Sequence, residues 1–316
     1  MWATSNHDVY LSSANSIVHW SALSHKLVNV IGPVIASGIH LGAPLVDFRE
    51  DPITCMAVKD NLLVLVGIGG EFICKYLDIK DVNYCSKITE IENGEISITN
   101  SIEIYQSPGG ATRVMTASND CCVRVFDPND GFAQIQGFSF PWAVNRASVS
   151  PDSKLFVVVG ENVDGFLSDW QTGKVVATLQ GHFDYSFGSA WHPDGTVFAT
   201  GNQDTTCRLW DVRNTSTSLE VLKGNMAAIR SIRFSSDGQF MAMAEEADFV
   251  HIFDTKHMYN KSQEIDFFGD ITGISFSPDP ESFFIGVHDE PPLDSPFGSL
   301  LEYKRRHQSF YLDSLM

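Results

Sequence analysis

Apolar residues along the chain come in short runs, alternating with polar residues or continuous, and Gly, Pro, Asn, Asp and Ser cluster between them. This spacing predicts short β-strands joined by tight turns, and no segment at helical period interrupts the series. The clearest unit runs from Gly181 to Arg213. It holds SFGSAW (186–191), VFAT (197–200) and CRLW (207–210), separated by the turns His192-Pro193-Asp194-Gly195 and Gly201 to Asp204. Segments 8–13, 16–20 and 26–31 read as the second, third and fourth strands of a first unit, while the same triplet of strands recurs at 53–58, 62–67 and 71–78 and at 101–106, 112–118 and 122–127. It returns at 142–150, 155–160 and 165–170; at 229–235, 240–244 and 249–254; and at 271–277, 282–287 and 299–304. Aspartates ending the third strands stand at 78, 127, 169, 211 and 254, so successive gaps are 49, 42, 42 and 43 residues. A period of roughly 40–45 residues marks a repeat architecture.

In the central unit, Gly181-His182 and Trp210-Asp211 bracket 27 residues. This resembles a WD40 repeat, and the resemblance implies a blade in which His182, Thr200, Asp204 and Trp210 are linked by hydrogen bonds. Across the chain it implies an all-β fold, a single seven-bladed WD40 β-propeller over 1–316. The expected blades are approximately 1–31, 45–88, 95–136, 138–179, 181–223, 225–266 and 268–316. Blade five alone keeps every polar landmark. In blade six Gly224-Asn225 replaces Gly-His, Phe253 replaces Trp, and Asp248 is the aspartate before the third strand; in blade four Ser168 replaces Trp.

The first blade is expected to be incomplete, because residues 1–7 are too short for an innermost strand and its turn. Closure by the tail at 308–315 and an N-terminally truncated chain are the two explanations. The segment 282–310 also resembles the tail of a little-characterised plant and fungal WD-repeat family, where it is a domain of unknown function. Members of that family carry an N-terminal extension that this chain lacks, which favours truncation, and the family brings no established activity.

Charge narrows the partners. Lys and Arg total 21 against 39 acidic residues, a formal net charge of −18. That balance opposes direct binding to nucleic acid and to anionic membranes, both of which call for a basic face. The opening MWATSNHDVYLSSANS has neither a basic leader nor an apolar core, so no secretory signal is expected. Leu27 to Val46 carries no charged residue, but Pro33, Pro44 and three glycines interrupt it, so strand–loop–strand is preferred to a membrane span. Six cysteines without CxxC spacing read as reduced, mostly buried thiols in a cytoplasmic or nuclear protein, with Cys121 and Cys122 on opposite faces of one strand.

Catalytic and metal motifs are absent: there is no GxSxG, HExxH or GxxxxGK[ST], and neither a cofactor nor a metal is expected. Gly67-Ile68-Gly69-Gly70 lies between strands and reads as a hairpin turn, and Asp127-Pro128-Asn129-Asp130-Gly131 as a β-turn rather than a calcium loop. His182, Thr200 and Asp204 mimic a catalytic set, yet their spacing is that of the structural network. Function is therefore expected on exposed rims. The segment 197–213 resembles the WD-box of substrate receptors for cullin-RING ubiquitin ligases. The resemblance implies a ligase adaptor as partner, with Asp211 and Arg213 as partner-binding residues and Arg213 offering a bidentate guanidinium. An acidic, Pro-rich loop at 288–296 and the basic Lys304-Arg305-Arg306-His307 read as charge paired locally or solvated. The expected function is a non-enzymatic protein–protein interaction scaffold. The alternatives are the ligase receptor and an enzyme with its site at the central channel.

Overall fold

The computed structural model describes residues 1–13, 15–32, 34–35, 46–47, 52–88, 97–288 and 298–306. Most of the stretch from 33 to 51, the acidic loop after His288 and the tail at 308–315 lie outside them. Strands dominate, in antiparallel meanders that form a β-propeller. Most sheets are centred on a near-continuously apolar strand such as Leu62–Gly67 or Phe240–Glu245, buried on both faces because a neighbouring sheet packs on each side. The core is consequently a ring of inter-sheet layers. Val157, Leu167, Trp191, Phe198 and Trp210 fill one such layer, and Ala199, Leu209, Ile229, Met241 and Phe253 fill the next. Gly201 permits this close approach, since a Cβ there would lie 2.8 Å from the Ile229 carbonyl oxygen.

Two expectations about the ring are corrected. Seven separate sheets were expected, and the described residues form six larger sheets, besides a two-stranded pairing of Val34–Ile35 with Val46–Asp47. The sixth has six strands because Ser262–Phe276 runs unbroken for 15 residues. Its first part, to Asp270, pairs with Ala247–Asp254, and from Asp270 onward it pairs with Ser282–His288. Without a Pro-rich turn between those halves, the chain bends at Gly269 (φ 149°) and continues, carrying one sheet into the next.

The first sheet is also complete. Trp2–Ala3 forms its innermost strand, paired with Val9 and Tyr10, and needs only the tight Thr4–His7 turn. The Ala3 N–H donates to Ser275 Oγ at 3.0 Å on one side, and Trp2 Nε1–H donates to the Met56 carbonyl at 2.8 Å on the other. Two residues therefore join the last sheet to the second and close the ring.

Smaller differences follow the same logic. Outermost strands, which the sequence reading does not place, appear at Tyr84–Lys87, Ala133–Ser139, Val175–Leu179 and Glu220–Lys223, and all four are mostly exposed or half-buried. Cys121 is not on a strand but in a left-handed turn (φ 64°), with Cys122 opening the strand; Cys74 and Cys207 are buried and the other four cysteines half-buried. Gly67–Gly70 is a hairpin turn. Asp127 caps a single 3₁₀ turn over Pro128–Asp130 and pairs with Arg113 at 2.9 Å. No helix among the described residues is long and apolar enough to cross a membrane.

Candidate functional site

Blade five supplies the most ordered polar constellation. Trp210 Nε1–H donates to Thr200 Oγ1 at 2.9 Å, and His182 Nε2 lies 2.9 Å from the same hydroxyl. His182 Nδ1 lies 3.0 Å from Asp204 Oδ2, which makes Nδ1 the protonated ring nitrogen. Asp204 also accepts from the Phe183 N–H and from the Thr206 N–H and hydroxyl. Burial alone would raise the Asp204 pKa, but the hydrogen bonds from His182 and Thr206 outweigh it and hold the carboxylate well below its ordinary range. All four side chains are inside the wedge, and every hydrogen-bonding atom of the chain from indole to carboxylate is engaged. The assembly fastens the loop entering Ser186–Trp191. Gly181 begins that loop at φ 137°, where any other residue would be strained and its Cβ would have to displace the Arg208 guanidinium, 2.8 Å away.

Asp211 and Arg213 sit at the other end of the third strand. The Arg213 side chain is 76% exposed, yet its fork already closes on Asp211, with Nε to Oδ1 at 2.9 Å and Nη2 to Oδ2 at 2.6 Å. Hydrogen bonds from the Arg213 side chain and backbone lower the Asp211 pKa to about 2. The guanidinium is thus accessible but occupied. An exposed ion pair of this kind contributes little and exchanges partners readily.

Sequence reasoning missed three features. First, Glu245 is fully buried and accepts from the backbone N–H groups of Asn225, Met226 and Ala227 and from His251 Nε2 at 2.8 Å. Second, Phe183, Met226 and Phe268 are 84%, 75% and 91% exposed. Each lies where an outermost strand hands over to the next innermost strand, so the meander places all three on one face, over consecutive wedges. Runs of single apolar residues inside polar loops gave the only sequence signal. Third, on the opposite face a cavity of about 640 Å³ opens at the end of the central channel, where innermost strands turn into second strands. It brings together Lys59, Glu103, Arg146 and Arg233 from four different sheets. Among the described residues no cluster of His, Cys, Asp and Glu could hold a metal ion.

Known proteins place this geometry in context. The WD40 family model, described as "WD domain, G-beta repeat", matches residues 173–211. The chain is 27% identical over 186 residues to Pre-mRNA-processing factor 19 homolog 2 of Arabidopsis thaliana, covering 57% of this chain and 34% of that protein. It is 30% identical over 125 residues to Serine-threonine kinase receptor-associated protein of Gallus gallus, covering 40% and 35% respectively. The Dictyostelium discoideum protein of the same name is 34% identical over 97 residues, covering 31% and 32%. The chain spans about a third of the length of these curated relatives.

Proposed function

The chain is a WD40-repeat β-propeller, and from that premise we propose that it is a non-enzymatic platform that holds other proteins on the face bearing Phe183, Met226 and Phe268. The carrying observation is the exposure of these three large apolar side chains where the chain passes from one sheet to the next, on one face. Water contact with such groups is unfavourable, and large apolar side chains exposed together on one face mark a protein-binding surface. Arg230, 3.9 Å above the Phe187 ring, adds the cationic and aromatic character favoured at such surfaces. The network of blade five holds one of these loops, which gives His182, Thr200, Asp204 and Trp210 a supporting role. A relative named for association with a serine-threonine kinase receptor supports the same reading. Six unpaired cysteines suit a reducing compartment, the cytoplasm or nucleus.

The narrower reading is a substrate receptor of a cullin-RING ligase, docking an adaptor through Arg213. It requires Arg213 to leave Asp211 for an acidic partner, an exchange that surface exposure makes inexpensive. Affinity purification separates the readings. A Phe183→Ser/Met226→Ser/Phe268→Ser variant, altered only at exposed positions, is expected to lose the proteins captured by the unaltered chain. Retention of the same set would sink the apolar-face proposal. Arg213→Ala is expected to keep those proteins and to lose an adaptor alone; equal adaptor recovery from both chains removes the role of Arg213.

A further inference from the structure

The cavity at the channel end is charged against the rest of the molecule. In a chain of net charge −18, its described lining places two guanidiniums, Arg146 and Arg233, against one interior carboxylate, Glu103. At the exposed rim Lys59 and Asp60 offset each other. Neither guanidinium makes an ion pair among the described residues, and the Nε of each is buried without a hydrogen-bond partner. Arg233 donates only to the Ile232 carbonyl at 2.9 Å and lies 5.2 Å from the Trp2 ring, which holds it in place. Glu103 accepts from the Val149 N–H at 3.2 Å through one oxygen, while its Oε2 is buried and unpaired.

Ordinary packing does not account for this set. A guanidinium whose Nε is buried is normally paired, and two that line one cavity repel each other. Burial first, and then the charge of Arg146, lower the Arg233 pKa to about 9. Burial also raises the Glu103 pKa despite the nearby cations, and even fully charged that one carboxylate is outnumbered by two guanidiniums. The interior therefore carries surplus positive charge, two guanidinium Nε donors without acceptors and room for a ligand. Ser148, Ser189 and Ser275 add hydroxyls around the same opening.

We propose that the channel end is a binding site for a compact oxyanion, a carboxylate or phosphate group held between Arg146 and Arg233. Guanidiniums take such groups bidentately, and a ligand anion would supply the acceptors that the fold leaves out. The anion arrives either free or on the acidic side chain of a protein segment. The site is on the face opposite Phe183, Met226 and Phe268, so it does not depend on that surface.

The test uses thermal denaturation of the full chain at constant ionic strength, with sodium chloride replaced stepwise by sodium phosphate or by an aspartate-rich peptide. A saturable rise in Tm of about 2 °C is expected at ten times Kd. Arg146→Met and Arg233→Met keep the apolar stems, relieve the mutual repulsion and should fold at least as stably without ligand. Both are expected to lose the ligand-dependent rise, whereas Arg213→Ala, outside the cavity, keeps it. A response to phosphate shows that the free anion suffices, and a response to the peptide alone assigns the site to a protein segment. No response to either probe, or an equal response from the Arg146 and Arg233 variants, overturns the proposal.

Discussion

In blade five a hydroxyl, Thr200, stands between Trp210 and His182. In blade six the corresponding places, each 43 positions further along, are held by Met243, Phe253 and Asn225. Strand pairing fixes the correspondence, because Thr200 faces Arg208 as Met243 faces His251. Asp204 becomes Ala247, and Asn202 becomes Glu245. In blade five, Asn202 Nδ2–H donates to Ser186 Oγ, and Asp204 takes the loop N–H of Phe183. In blade six a single carboxylate takes three loop N–H groups and a histidine. What is preserved is fastening of the loop that enters the innermost strand, while the residues that do it are exchanged. The bond between indole and hydroxyl can be lost at little cost when both of its partners become apolar together, as at Met243 and Phe253, while Asn225 at the place of His182 stays polar.

The largest expected effect tests how much of blade five is burial. Trp210 is fully buried between sheets, stacked 6.4 Å from Phe198. Trp210→Ala should cost about 3–5 kcal/mol, a fall in Tm on the order of 10 °C. Phe253→Ala should lie at the lower end of that range, since the ring is smaller and has no polar handle to orphan. Urea denaturation of the two variants measures the difference. Equal costs would mean that the blade-five network adds nothing beyond area.

Glu245 comes next, and its effect depends on pH. Burial pushes its pKa up, but the Asn225 N–H, His251 and the other loop N–H groups outweigh this and hold it below its ordinary value of 4.5. A carboxyl depressed in the folded state contributes stability that is complete above pH 4.5 and is lost as pH falls through the folded value. Glu245→Gln keeps the shape and removes the charge. It should cost about 1.5–3 kcal/mol at neutral pH, the range for hydrogen bonds to a charged group, and less as the pH falls below 4.5. Calorimetric Tm values from pH 7 down to pH 3 provide the check. A deficit that is constant across the range would show that charge is not what holds the loop.

The same comparison explains what could be read from the chain. Three strands per unit were legible because most second strands are near-continuous apolar runs and the third strands of five units end in an aspartate, at 78, 127, 169, 211 and 254. The outermost strands were not, since Val175–Leu179 and Glu220–Lys223 are mostly exposed or half-buried and carry no strong alternation. In blade six Asp248 looked like the counterpart of Asp204. It instead occupies the place of Thr205, with φ of 66° against 65°, and accepts from the Gly269 N–H. Glu245, one of two adjacent glutamates closing an apolar strand, gave no sign that one was buried and the other exposed. The channel charges were equally invisible, because Lys59, Glu103, Arg146 and Arg233 are far apart in sequence and meet only when the ring closes.

The smallest effect is the most discriminating, since it isolates the bond that blade six has dispensed with. Thr200→Val leaves the Trp210 indole N–H and His182 Nε2 facing a methyl group, and should cost about 1–3 kcal/mol. Trp210→Phe removes the donor while keeping an aromatic ring, as blade six does. Made in that background, Thr200→Val orphans only the histidine and should cost less, giving a coupling of about 1 kcal/mol in the double-mutant cycle. Matched urea melts of the four proteins yield that number. Coupling near zero would mean that Trp210 and Thr200 are neighbours by packing alone, and that the two blades differ in side-chain volume rather than in hydrogen bonding.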